Sequence, residues 1–226
     1  MLIRLLDSLV LSPKGLCSYK KTRAQQYKFS VSLTQGDLDG ACGPYALMMA
    51  LISLGVISKK EAVKIWGDPI DQRTKLAKAM KSLDTLLRTG TSSTDLIQLL
   101  GAIQHYFRSG HSKLKSVTYE ETSLKGKALV SYCVGKIKNS EPVILGLDWR
   151  GKGAHWVTVI GYQENDENKI ESLLVLDPSS PMRDTSAWNG VIDVFNVSEG
   201  KKPYTYWSDV YEERCMIVDT IAFRTS

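Results

Sequence analysis

The spacing of apolar residues changes once along the chain, near residue 140, and this change limits the folds open to it. Before residue 140, apolar residues recur every three or four positions, which is typical of helices. After it, they form short runs bounded by Gly, Pro and polar residues, which is typical of β-strands. Because helices come first and strands second, without regular alternation, we expect an α+β fold with an antiparallel sheet.

The first part of the chain contains five segments with helical spacing. The segment from Pro44 to Leu54 has little polar interruption, so the helix there should be buried on most sides. Ser58 and Glu61 form a capping-box pattern at the start of a second helix. The predicted helices cover residues 44–54, 59–66, 71–88, 94–107 and 124–138.

The apolar runs of the second part predict five strands, over residues 142–149, 155–162, 170–176, 191–197 and 216–223. A polar loop at residues 164–168 separates two of them as a hairpin. A further short strand is predicted at residues 27–33, whereas residues 1–11 fit a short amphipathic helix or a docking tail. The aromatic cluster at residues 203–207 has three interpretations, as a cleft lining, as the cover of an edge strand or as part of the core, of which the last is the most common.

Charge divides the chain at nearly the same place. Residues 1–138 carry 21 Lys and Arg against 10 Asp and Glu, whereas residues 139–226 carry 8 against 14. We therefore predict an N-terminal arm over residues 1–30, a candidate docking segment, and one catalytic domain over residues 31–226. Its helical part covers residues 31–138 and its β-rich part covers residues 139–226. The net charge of +5 comes without zinc-finger spacing or an Arg-rich tract, so we expect no nucleic-acid partner.

No membrane span is predicted, because every apolar run is shorter than the roughly 18 residues that a span needs. A cleaved signal is not predicted either, because Arg4 and Asp7 interrupt the first apolar stretch and no small-residue cleavage site follows it. The sequence thus favours a cytoplasmic protein, or one exported without a cleaved signal peptide. The four cysteines are scattered, and Cys133 and Cys215 lie in apolar surroundings typical of inert buried thiols. His105 and His111 have no partnering cysteine, so we predict neither a metal site nor a cofactor.

Cys42 has a different setting from the other cysteines. A loop rich in Gly and Asp delivers it to the first turn of the apolar helix, where Pro44 is well tolerated. The positive end of a helix dipole favours the thiolate, which is the nucleophilic form of cysteine. Gly43 would leave room beside the sulfur for a substrate carbonyl. These features predict a nucleophile.

A thiolate nucleophile needs a base and a group that orients the base. His155 begins one predicted strand and Asp177 ends the next, so both fall at the same edge of the sheet if these strands are neighbours. Asp177 would then accept a hydrogen bond from one His155 nitrogen while the other faces Cys42. Asp148, at the end of the preceding strand, is the alternative orienting carboxylate. Gln35 could supply an amide donor to an oxyanion hole, with the Cys42 backbone N–H as the second donor.

In this order, Gln35, Cys42-Gly43-Pro44, His155-Trp156-Val157 and Asp177-Pro178 resemble the papain-like cysteine peptidase superfamily. The strand from Ala154 to Tyr162 and the Asp-Pro ending are most similar to its compact bacterial branch, which includes the leader-peptidase domains of bacteriocin exporters. The resemblance implies a helical lobe packed against a β-sheet lobe, with the site in the cleft between them. It also implies Cys42 as nucleophile, His155 as base, Asp177 as orienting group and Gln35 as oxyanion donor.

Two positions depart from the usual pattern of that family. Gln35 stands one residue farther from Cys42, and Ala41 takes the place of the acid that precedes the exporter-type cysteine. Asp37, Asp39 or backbone amides of the same loop are the alternatives for part of the oxyanion-binding role.

The resemblance implies a thiol protease that hydrolyses a peptide or amide bond through an acyl-enzyme, with a peptide or protein as substrate. Two alternatives use the same fold. In the first, the triad deamidates a protein glutamine or uses that glutamine in acyl transfer. In the second, catalysis is lost and the fold binds a peptide. The presence of all three triad residues disfavours the second alternative.

Overall fold

A computed structural model describes residues 1–13, 15–21, 26–35, 41–67, 78–79, 90–109, 115–148, 154–210 and 212–226. The fold is α+β, with helices packed against a large antiparallel sheet. The helices are α1 (Cys42–Ser53), α2 (Lys59–Gly67), α3 (Ser93–Ser109) and α4 (Gly126–Lys138). The helices predicted at residues 44–54, 59–66, 94–107 and 124–138 are confirmed, while the one predicted at 71–88 lies outside the described residues except at 78–79.

The strands fall into two groups along the chain. The first five are β1 (Leu2–Leu5), β2 (Leu9–Ser12), β3 (Gly15–Lys21), β4 (Gln26–Ser30) and β5 (Val117–Glu121). The last six are β6 (Val143–Asp148), β7 (Ala154–Glu164), β8 (Ile170–Leu176), β9 (Gly190–Asp193), β10 (Tyr204–Ser208) and β11 (Glu212–Thr225). The strand predicted at residues 191–197 is shorter than expected, because its ladder with β8 and β10 ends at Asp193.

The last six strands form a closed antiparallel barrel. Each pairs antiparallel with the next around the ring β6, β7, β8, β9, β10 and β11, and β11 pairs back with β6. Antiparallel order brings the ends of β6, β8 and β10 to the same end of this barrel as the starts of β7, β9 and β11. That shared end carries the residues of the candidate site.

Helix α1 lies against β7 and is buried along almost its whole length. The Thr158 hydroxyl on β7 donates to the Ala46 carbonyl of α1 at 2.9 Å, and both residues are fully buried. This contact fixes the helix along the strand. It therefore sets the start of α1, where Cys42 lies, close to the start of β7, where His155 lies.

The expectation of an amphipathic helix over residues 1–11 is wrong. These residues form β1, which pairs with the far end of β7, and β2, which joins a small sheet in the order β2, β3, β4. Leu6, Leu16 and Val31 of this region are buried in the main core. The Ser18 hydroxyl also donates to the Ser53 carbonyl at the end of α1, at 3.2 Å. The domain boundary at residue 31 stays a prediction.

Besides β1, two strands of the main sheet, β5 and β10, do not correspond to any predicted strand. β5 exposes all but its first residue, so it lacks the alternation that marks a half-buried strand. β10 is the aromatic cluster around Tyr204 and Tyr206, and it lies in the barrel between β9 and β11. Among the helices that the structure describes, none is long and apolar enough to cross a membrane.

Candidate active site

Cys42 is the first residue of α1, and only 3% of it is exposed. Ala41 occupies the N-cap position and offers no side-chain hydrogen bond to the first turn. The N–H groups at a helix start point outward and carry the positive end of the helix dipole. Cys42 therefore lies at the positive end of the helix, where the N-cap residue occupies none of the backbone donors.

His155 links Asp177 to Cys42. Its Nε2 lies 2.7 Å from Oδ1 of Asp177, and its ring also forms a hydrogen bond with the Cys42 side chain. Because Nε2 is engaged by the carboxylate, Nδ1 is the atom left to face the sulfur. The expected pairing of the strands that carry these residues is confirmed, since Thr158 pairs with Leu176 at the end of β8.

Asp177 is completely buried, and its carboxylate accepts several hydrogen bonds. The Ser179 backbone N–H and hydroxyl each donate to Oδ1 at 2.7 Å. On the other oxygen, Oδ2, the Tyr206 hydroxyl donates a hydrogen bond and the Ser180 hydroxyl donates a long one of 3.4 Å. Donors of this kind hold the carboxylate ionised and fix its direction toward His155.

The backbone of Asp177 is held as firmly as its side chain. The Asn189 side chain accepts from the Asp177 N–H at 2.7 Å and donates to the Asp177 carbonyl at 2.8 Å. The same amide nitrogen donates to the Ser180 carbonyl at 2.7 Å. Asn189 therefore closes the turn that follows β8 and places the carboxylate at the end of the barrel.

Sequence reasoning missed Tyr206 and Asn189, because each is distant in sequence from Asp177 and belongs to no recognisable spacing. Gly190 is a partial signal: a Cβ there would lie 2.6 Å from the Tyr206 hydroxyl oxygen and 2.8 Å from Val175. Only glycine allows the tyrosine hydroxyl to pass β9 and reach Asp177.

The charges of the histidine and the aspartate support each other. Burial alone would lower the pKa of His155, but hydrogen bonds and charge interactions with Asp177 and Cys42 raise that pKa to about 9. Burial alone would raise the pKa of Asp177, but His155, Tyr206 and Ser179 hold it below the usual range. Near neutral pH, the site therefore contains an imidazolium between a carboxylate and the cysteine sulfur.

Gln35 lies on the Asp177 side of the site. Its backbone N–H donates to the Pro178 carbonyl at 2.9 Å, and its side chain is 9% exposed. Within the described residues, its buried Oε1 has no hydrogen-bond partner. A rotation of the amide by 180° would present an N–H donor at that position instead. The alternative oxyanion residues, Asp37 and Asp39, lie outside the described residues.

The role expected for Gly43 is wrong. A Cβ at Gly43 would lie 2.0 Å from Oγ1 of Thr91 and 3.0 Å from the Trp156 ring. Gly43 is therefore required by the packing of α1 against its neighbours, and it does not serve to open space for a substrate. Trp156 is part of the same packing: it is fully buried, and its indole N–H donates to the Thr91 carbonyl at 2.8 Å.

The remaining sequence candidates are one carboxylate, two cysteines and two histidines. Asp148, the alternative orienting carboxylate, is the last residue of β6, and its backbone pairs with that of Ala154. The carboxylate that is hydrogen-bonded to Nε2 of His155 belongs to Asp177. Cys133 and Cys215 are buried, and burial raises the pKa of each thiol to about 12. His105 lies on α3, and His111 is outside the described residues. In the part of the chain that is described, no cluster of His, Cys, Asp and Glu could hold a metal ion.

Comparison with known proteins gives no assignment to a family. No family model matches the sequence, and no curated protein matches it. Fourteen chains of solved structures match this chain, and one of them is UfSP from C. elegans, with a TM-score of 0.43 and 13% sequence identity. That match covers 97% of this chain and 38% of the UfSP chain, so this chain spans about two fifths of UfSP.

Proposed function

We propose that this protein is a thiol hydrolase that cleaves a peptide or amide bond through an acyl-enzyme on Cys42. The observation that carries the proposal is the chain of contacts from Asp177 to His155 to Cys42. A buried carboxylate, a protonated imidazole and a sulfur at a helix start are the parts that activate a thiolate for attack on a carbonyl.

In the first step, the Cys42 thiolate attacks the carbonyl carbon, a C–S bond forms, and negative charge develops on the carbonyl oxygen. Backbone N–H groups at the start of α1 and the Gln35 amide are the proposed donors to that oxygen. His155 then gives its proton to the leaving amine as the C–N bond breaks. An acyl thioester on Cys42 remains.

In the second step, His155 is neutral and acts as a base. It takes a proton from a water molecule that attacks the thioester carbonyl, and the C–S bond breaks to release the acid. The thiolate and the imidazolium are restored together. Asp177 stabilises the imidazolium in both steps, and it also fixes which nitrogen faces the sulfur.

The experiment that tests this proposal separates hydrolysis from its alternatives. The protein is incubated with a peptide library, and the products are analysed by mass spectrometry for cleaved peptides and by an ammonia assay for deamidated glutamine. Peptide cleavage that Cys42→Ala abolishes supports the proposal. Cys17→Ala is the matched control, because Cys17 is an equally buried thiol that should leave cleavage unchanged.

Two results would contradict it. Ammonia release or acyl transfer without cleavage would favour the use of the same triad on glutamine. Absence of both reactions, together with peptide binding that survives in Cys42→Ala, would favour a binding module. Either result would overturn hydrolysis of a peptide bond as the function.

A further inference from the structure

Thr91 contacts the residue that follows each member of the Cys42–His155 pair. Its carbonyl accepts the indole N–H of Trp156 at 2.8 Å, and Trp156 directly follows His155. Its hydroxyl lies against Gly43, which directly follows Cys42, since a Cβ at Gly43 would come within 2.0 Å of Oγ1. Thr91 therefore joins the start of α1 to the start of β7, one residue away from the two reacting groups.

These contacts are buried, and α3 holds them in place. Thr91 is 6% exposed, Trp156 is fully buried, and Gly43 is among the buried residues of α1. Thr91 directly precedes the capping box at the start of α3. There the Ser92 N–H donates to Oδ2 of Asp95 at 2.8 Å, and the Asp95 N–H donates to the Ser92 hydroxyl at 3.3 Å. The capped end of α3 thus fixes the position from which Thr91 reaches the other two elements.

The Thr91 hydroxyl contributes volume at this place. Within the described residues, its buried Oγ1 has no hydrogen-bond partner, and a buried hydroxyl without a partner lowers stability. Protein interiors are close-packed, so an atom in contact with Gly43 limits how far the start of α1 can move toward α3. Oγ1 therefore acts as a spacer between the two helices.

The spacing at the start of α1 determines whether the reacting pair can meet. The hydrogen bond between the His155 ring and the Cys42 side chain joins α1 to β7. The Thr158–Ala46 hydrogen bond, at 2.9 Å, holds the same helix and strand together farther along both. The first turn of α1 lies beyond that bond, where it packs on Thr91. A displacement of a reacting group by about 1 Å can lower a rate by about a hundredfold.

Resting on the function proposed above, we infer that Thr91 is a positioning residue for the reaction. It keeps the Cys42 sulfur at the distance at which it meets the His155 ring. It acts through Gly43 and Trp156 and does not touch the substrate. Removal of its side chain would let the start of α1 settle toward α3 and separate the sulfur from the imidazole, whereas valine would keep both the shape and the distance.

Titration of the His155 ring, followed by NMR, tests this inference without a substrate. The chain has three histidines, so the ring signals can be assigned one by one. Burial lowers the pKa of His155, whereas Asp177 and Cys42 together raise it to about 9. Cys42→Ala should lower the midpoint of the titration by about one pH unit, the size expected for one hydrogen bond to a charged group. Thr91→Ala should lower the midpoint by a comparable amount, and Thr91→Val should keep the wild-type midpoint.

Val56→Ala is the matched control for a gap in the core. Val and Thr have the same shape, and Val56 is 2% exposed. It follows the other end of α1, a helix of 12 residues that is about 18 Å long. Val56→Ala should lower the melting temperature and leave the His155 midpoint unchanged. In the peptide-cleavage assay, Thr91→Ala should lower kcat by about tenfold to a hundredfold with little change in KM.

The outcomes separate this inference from the proposed function. A midpoint that falls in Cys42→Ala but not in Thr91→Ala would overturn the positioning role and keep the Cys42–His155 contact. An equal fall in Thr91→Val and Thr91→Ala would also overturn it, because the hydroxyl and not the spacing would then act. A fall in Thr91→Ala alone, in a protein that cleaves no peptide, would keep the positioning role and overturn the hydrolase. A midpoint that is unchanged in Cys42→Ala would overturn both.

Discussion

Replacement of Tyr206 by phenylalanine should destabilise the protein through its effect on the buried Asp177. The two residues are fully buried, and the Tyr206 hydroxyl donates to Oδ2 of Asp177. Without that hydroxyl, the nearest remaining side-chain donor described for Oδ2 is the Ser180 hydroxyl, at 3.4 Å. A charged oxygen would then be buried with one long hydrogen bond.

The size of the effect follows from the type of hydrogen bond that is lost. A hydrogen bond to a charged group contributes about 1.5–3 kcal/mol to stability. In a protein of this size, each kcal/mol shifts the melting temperature by about 2–4 °C, so the melting temperature should fall by about 3–12 °C near neutral pH. If the whole loss also appears in the transition state, turnover falls by about tenfold to a hundredfold.

The assay is thermal unfolding of wild type, Tyr206→Phe and Tyr204→Phe at two pH values. Tyr204 is the matched control, because it is a buried tyrosine on the same face of β10 that lies near Cys133 and Cys215. The hydrogen bond from Tyr206 lowers the pKa of Asp177, so its stabilising effect belongs to the ionised carboxylate. The difference between wild type and Tyr206→Phe should therefore shrink as pH falls through that pKa. An equal loss in Tyr206→Phe and Tyr204→Phe, independent of pH, would refute the reasoning.

Three further predictions concern other parts of the site and fold. Gly43→Ala should lower the free energy of unfolding by about 1–3 kcal/mol, since the new Cβ would lie 2.0 Å from Oγ1 of Thr91. In the double variant, Thr91→Ala should restore part of the lost stability, as measured by denaturant unfolding. kcat/KM should decline as pH rises through about 9, where His155 loses the proton that the leaving amine needs. Asp177→Asn removes the carboxylate charge, so it should move that decline to lower pH. A decline at the same pH in both proteins would contradict the pairing of Asp177 with His155. Gly161→Ala should lower the melting temperature and expose residues 1–5 to proteolysis, since the new Cβ would lie 2.5 Å from the Arg4 carbonyl of β1. Equal resistance of residues 1–5 to proteolysis in wild type and Gly161→Ala would show that β1 tolerates the change.

The elements predicted best from sequence are those whose apolar residues form a long or nearly unbroken run. The helix at Cys42 and the strand over residues 170–176 are nearly unbroken apolar runs that the fold buries, so local pattern and tertiary packing agree. The capping box at Ser58 also formed as expected, with the Ser58 N–H donating to Glu61 at 2.6 Å. His155 and Asp177 could be placed together because consecutive antiparallel strands are neighbours.

The missed elements are those whose stability comes from distant partners. β1 is exposed along most of its length and owes its conformation to pairing with β7, which lies about 160 residues later in the chain. Tyr206 is distant in sequence from Asp177, and nothing near it indicates a carboxylate partner. Gly43 shows a different limit, because sequence alone cannot distinguish a close approach of α1 to the Thr91 side chain from room for a substrate.

The central claim is that Cys42 is an activated thiolate, and alkylation of the four free cysteines tests it most directly. Cys42 and Cys17 are 3% and 5% exposed, so accessibility alone predicts that Cys17 reacts at least as fast. The folded protein is treated briefly with iodoacetamide near neutral pH, and labelling at each cysteine is followed by mass spectrometry. The account predicts that Cys42 is labelled first and that His155→Ala slows this labelling. Labelling of Cys42 no faster than Cys17, or unchanged in His155→Ala, would contradict the account.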